Sequence, residues 1–159
     1  MENGGPVEED LALLRTFYRL GVRYITLTHN GNNPICDSST DVPEWEGLSP
    51  FGIEMVAEMN RIGMMIDVSH VSDETFFDVI ERSKAPVIAS HSGCRAICGV
   101  PRDLTDEMLR ALAGNGGVIQ IVFYSGFLSE GFAKESEAAR ERLRPEFEKI
   151  REELSLIHI

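Results

Sequence analysis

Residues 58–76, EMNRIGMMIDVSHVSDETF, hold a complete change of structure in one short stretch. A helix opened by Ser49-Pro50, with Ser49 as N-cap and Pro50 in the first helical position, runs to about Ile62 and stops at Gly63. Met64–Val68 then reads as a strand, and Ser69-His70 follow it directly. Ser72 caps the next helix, whose first turn carries Asp73 and Glu74 against the positive end of the dipole. Helix, strand, histidine and helix within so few residues point to an α/β chain whose strands end at chemistry.

The same pattern extends outward in both directions. Glu8–Leu20 is an amphipathic helix with Leu11, Leu14 and Tyr18 on one face and Gly21 as its stop. Tyr24–Thr28 is a β-branched run that ends at His29, and a polar loop fills 30–47. Downstream, Pro86–Ala89 reads as a short buried strand followed by Ser90-His91, then a loop with Cys94, Cys98, Pro101 and Arg102. Thr105 caps a helix to about Ala113, and Gly116-Gly117 lead into a strand at Val118–Phe123, with Tyr124 next. From Ala133 to about Glu153 the charges are mixed in sign, as on a solvated helix. Strands separated by helices imply parallel pairing with right-handed crossovers. Two architectures fit, an open doubly wound sheet or part of a (β/α)8 barrel. A full barrel needs about 250 residues, so 159 residues supply only around half of one.

Composition narrows the partners. The hydrophobic fraction of 43% and charged fraction of 26% are those of a globular domain, and the net charge of −11 argues against nucleic acid. No apolar run reaches the length of a membrane span, and the opening MENGGPVEED lacks the basic and apolar parts of a signal peptide. A cytoplasmic location is the expectation that follows. Three cysteines do not make a disulfide framework; Cys94 and Cys98 lack a second pair to complete a metal site and read as small buried residues.

Four strands end at a residue able to ligate or catalyse: His29, His70, His91 and Tyr124. In parallel α/β folds the C-terminal strand ends form the active-site face. A single histidine there would ordinarily be a hydrogen-bonded bystander. Three at equivalent positions are what a zinc site asks for, though the pattern alone leaves a metal and a merely polar cluster both open.

The wording around these residues goes further. LRTFYRLGVRYITLTHN, GLSPFG, EMNRIGMMIDVSHVSDETF, APVIASHS and PRDLTDE together resemble the membrane (renal) dipeptidase family, from Met1 to about Leu128. The resemblance implies a (β/α)8 barrel with two zinc ions that hydrolyses dipeptides by a metal-activated hydroxide. By motif it makes His70 and His91 imidazole ligands of one zinc, and Glu2, in the opening Met1–Gly4, the carboxylate that bridges both metals. It makes His29 a non-ligand residue that stabilises the oxyanion. Arg102 becomes the receiver of the substrate's terminal carboxylate, and Tyr124 a residue near the substrate or simply a packed strand-end aromatic. Asp67 points the other way from Val68 on its strand and can at most support the ligands indirectly.

The resemblance also implies a His-x-Asp pair for the second zinc and a late aspartate for proton transfer, and neither occurs in these 159 residues. The expected organisation is an incomplete barrel over 1–129, a charged helix over 130–153 and a tail, 154–159, that resembles a translated transposon end and is expected to be non-native. The implied partner is a small dipeptide, and the reading is compatible with a homodimer. The alternatives are a truncated, inactive piece and a related barrel amidohydrolase acting on another amide.

Overall fold

The computed structural model describes residues 1–155. Its elements alternate as α1 (Leu11–Arg19), β1 (Tyr24–Thr26), α2 (Pro50–Ile62), β2 (Met65–Asp67), α3 (Asp73–Arg82), β3 (Ile88–Ser92), α4 (Asp106–Gly114), β4 (Val118–Ile121) and α5 (Glu130–Ser155). The four strands form one parallel sheet in the order β1-β2-β3-β4. A doubly wound sheet reverses its strand order at a switch point. Here the order never reverses and a helix follows each strand, which is the arc of a (β/α) barrel and decides between the two architectures.

Side-chain caps set most of the helix starts. Ser49 accepts from the Gly52 N–H, Ser72 from Thr75 and Thr105 from Met108, each filling one of the orphan donors of a first turn. Gly63 closes α2 in the left-handed region, at φ 78°. The first helix begins later than its periodicity predicts. Glu8 and Glu9 have φ of 50° and 56°, outside the helical range, and Asp10 is the cap, accepting from the Ala12 N–H. β3 is displaced the other way: it spans Ile88–Ser92 rather than Pro86–Ala89, so His91 stands inside the strand and not after it. The pairing with β4 shifts register between Ala89 and Ser92, so His91 stands within the irregular stretch.

The core lies between the sheet and its helices, with Leu14, Ile25, Met55, Met59, Ile66, Phe76, Val79, Met108 and Leu112 buried. Glu58 on α2 ties α1 to this layer by accepting from Arg15 (2.5 Å) and Arg61 (2.6 Å). The Arg61 hydrogen bond is the main cause that holds its carboxyl down at about 2. Ahead of β1, the Met1 carbonyl accepts from the Thr26 N–H (3.0 Å) and its amine donates to the Tyr24 carbonyl (2.9 Å). The chain start therefore lies along the free edge of β1 and sets Glu2 beside the strand ends. The charged residues from Glu130 onward form α5 and are mostly exposed; of the tail expected to be non-native, 156–159 lie outside the described residues.

Candidate metal centre

Three backbone devices aim three donors at one point. Glu2 is held by the sheet contact of Met1 and by Gly4, whose N–H donates to the Leu27 carbonyl. A Cβ on Gly4 would lie 2.5 Å from Ile35 Cδ1 and 2.8 Å from that same carbonyl, so only glycine allows the approach. His70 follows β2 in the left-handed region, at φ 72°, a strained setting for a non-glycine residue. Its carbonyl is secured there by the Ser39 N–H at 2.8 Å. His91 is carried by the irregular stretch of β3, with its N–H donating to Ser69 Oγ at 3.0 Å.

The result is a tight triangle. His70 Nε2 and His91 Nε2 are 2.8 Å apart, and Glu2 Oε1 lies 3.1 Å from the first and 3.2 Å from the second. Ligand atoms at the corners of a tetrahedron around zinc, with bonds of ~2.0–2.1 Å, stand about 3.3 Å apart. The donor set and its spacing therefore fit a small divalent ion. Among the described residues these three form the one group of His, Cys, Asp or Glu donors so gathered. The His70 ring is buried, and burial, with Arg102, His29 and His91 nearby, pushes its pKa down to about 4 despite the opposing pull of Glu2. A neutral imidazole is the form that binds a metal.

The other residues singled out in the sequence surround this triangle. His29 Nε2 is 3.6 Å from Glu2 Oε1, and its ring lies 4.4 Å from that of His70. Arg102 sits with its guanidinium 5.4 Å from the Phe127 ring centre, and its Nη2 donates to the His91 carbonyl at 3.3 Å. Tyr124 packs edge-on against Phe127. With Glu2, His70 and His91 they border one cavity of ≈850 Å³. Cys98 is buried and Cys94 half-buried, and neither belongs to the donor group. Sequence reading missed part of the wall: Asn30 and Thr40 from the polar loop, and Ser136, Glu137 and Arg140 from the first turns of α5. It also passed over Asp37, whose buried carboxylate accepts from the N–H groups of Glu44, Trp45 and Gly47 and so shapes the loop behind His70. Nothing periodic marks a loop of this kind.

A model of the membrane dipeptidase family (peptidase family M19) matches residues 1–156. The chain belongs to the membrane dipeptidase family. An uncharacterised dipeptidase of Schizosaccharomyces pombe is 48% identical over 126 residues, which cover 77% of this chain and 30% of that protein. The crystal structure of the probable dipeptidase PvdM from Pseudomonas aeruginosa matches with a TM-score of 0.81 at 35% identity, over 91% of this chain and 38% of its own. A metallopeptidase from Rhodobacter sphaeroides, solved with a phosphinate mimic of the dipeptide L-Ala-D-Ala, matches with a TM-score of 0.72 at 31% identity, over 77% and 36%. The chain thus spans between 30% and 38% of the length of these relatives. None of its described helices is long and apolar enough to cross a membrane.

Proposed function

We propose that the triangle is the zinc centre of a dipeptide hydrolase, with Glu2, His70 and His91 as its protein ligands. The observation that carries this reading is the convergence of one carboxylate and two imidazole nitrogens, 2.8–3.2 Å apart, at the floor of a cavity that also holds a guanidinium. Zinc held there would act as a Lewis acid and bring the pKa of a water toward neutrality.

The remaining work belongs to the chain's own side chains. His29, half-exposed at the cavity edge, would donate to the carbonyl oxygen that gains charge as the peptide carbon becomes tetrahedral. Arg102 would take the terminal carboxylate of the substrate through its planar fork, and its bond to the His91 carbonyl fixes that anchor relative to the metal ligands. A carboxylate one residue past the bond to be cut is found only at a peptide's C-terminal bond, so this contact restricts cleavage to that bond, which is the one bond a dipeptide has. Tyr124 borders the same space. The dipeptide mimic bound by the Rhodobacter sphaeroides relative supports this substrate class. The resemblance implies two zinc ions, and the donors gathered among the described residues make up one site.

The test is zinc content and hydrolysis of L-Ala-D-Ala and L-Ala-L-Ala by wild type and His70→Ala. Loss of a direct ligand should weaken zinc by more than the ~10–100-fold cost of losing an outer partner, and hydrolysis should fall with it. Zinc content unaffected by the substitution would reject the ligand assignment.

A further inference from the structure

We propose that Asp67 and Ser90 are positioning residues that fix the tautomer of His91 and aim its Nε2 at the metal position. Asp67 ends β2 and is fully buried between β1 and β3. Its Oδ1 accepts from the Ser69 N–H at 3.0 Å and the Ser90 N–H at 2.9 Å. Its Oδ2 accepts from Thr26 Oγ1 at 2.6 Å and from Ser90 Oγ at 2.5 Å. An ionised carboxylate can only accept, so the one hydroxyl hydrogen of Ser90 is committed to Asp67.

Ser90 Oγ also lies 2.7 Å from His91 Nδ1. With its hydrogen already committed, the hydroxyl can only accept there, and Nδ1 must carry the proton. In the neutral ring, the form that binds a metal, the lone pair is then left on Nε2, the atom that faces His70 and Glu2. The opposite assignment, Ser90 donating to Nδ1, would leave a bare hydroxyl oxygen 2.5 Å from a carboxylate oxygen with no proton between them. A metal-ligating histidine commonly donates its second nitrogen to an outer acceptor; here the acceptor is a serine that a buried aspartate has oriented.

The contrast with His70 gives the arrangement its meaning. His70 Nδ1 is buried and makes no hydrogen bond, so that ring is held through its backbone, by the left-handed φ and the Ser39 N–H. His91 is held through its side chain. The effect on zinc rests on the proposed ligand role of His91, whereas the tautomer assignment does not need a metal.

The decisive measurement is the imidazole 15N spectrum of the zinc-free chain at neutral pH, which distinguishes a protonated ring nitrogen from a bare one. Wild type should show His91 as the Nδ1–H form. Ser90→Ala, shown to be folded by its thermal transition, should show a mixture of both forms and bind zinc about 10–100-fold more weakly in competition with a chelator. Ser90→Thr, which keeps the hydroxyl, should restore both. His91 found as the Nε2–H form in wild type would overturn the proposal whether or not the alanine variant folds. So would a folded Ser90→Ala that keeps the Nδ1–H form and binds zinc within about twofold of wild type. His91→Ala separates the two readings: undiminished zinc binding there rejects the ligand role, while the wild-type spectrum still decides the role of Ser90.

Discussion

β2 and β4 belong to one parallel sheet and live in opposite surroundings. β2 lies between two strands, its Ile66 and Asp67 are buried, and Asp67 gathers hydrogen bonds from the strands on either side. β4 pairs with β3 alone, Val118 and Ile121 are exposed, and Phe123 just beyond is 88% exposed. The proposed metal donors gather around the other three strands: Glu2 beside β1, His70 after β2 and His91 in β3. Tyr124 stands after β4, and Arg102 lies on the β3–α4 loop. Ion binding demands sub-ångström placement of small donor atoms, which a dense core supplies. Of the residues proposed to meet substrate, His29 follows β1 on the packed side, while Arg102 and Tyr124 come after β3 and β4.

The largest test of this contrast is in the core behind the metal donors. Phe76, on α3, is fully buried. Phe76→Ala should cost about 3–5 kcal/mol of unfolding free energy, read from urea denaturation with the slope unchanged. A loss below about 1 kcal/mol would mean that the packed side is no better packed than the other.

Two buried carboxylates sharpen the same comparison. Burial alone would raise the pKa of Asp67, but the Ser90 N–H and O–H, the Thr26 hydroxyl and the Ser69 N–H outweigh it and hold the group below its ordinary value. Asp103, beside Arg102, is just as buried, and neither of its oxygens makes a well-formed hydrogen bond. Burial pushes it up to about 6, against the pull of Arg102. Between its ordinary value of 3.8 and about 6 the folded chain therefore holds a proton that the unfolded chain has lost. Stability should fall as pH rises through that window, because the unfolded state binds fewer protons there. The zinc-free wild type should lose about 1–3 kcal/mol relative to Asp103→Asn between pH 4 and 6.5. Parallel stability curves for the two proteins would show that the Asp103 carboxylate is solvated after all.

What the sequence made legible follows from which forces are local. The caps at Ser49, Ser72 and Thr105 and the stop at Gly63 are written in single residues and stand where they were expected. The strand-end histidines were legible because alternation of helix and strand implies a common face, and the family wording added Glu2 and Arg102. The placement of His91 inside β3 was not, since it depends on a register shift against a strand nearly thirty residues away. The left-handed His70 was equally hidden: nothing in IDVSH announces a positive φ, and the Ser39 N–H that secures it comes from the polar loop. Asp67 was read only as an indirect support, because three of its four donors come from the strands on either side, β1 and β3, and meet it only in the folded sheet.

The smallest expected effect is on the thin side. Phe123 follows β4 with its ring almost wholly in solvent, so its removal strips no packed neighbour and opens no cavity. Phe123→Ser should change unfolding free energy by no more than about 0.5 kcal/mol, a small fraction of the Phe76→Ala loss. Zinc affinity should be untouched, because Phe123 is not among the residues lining the cavity that the proposed donors border. A destabilisation comparable to that of Phe76→Ala would show that Phe123 is covered in solution, and the β4 edge would then be a packed surface and not an open one.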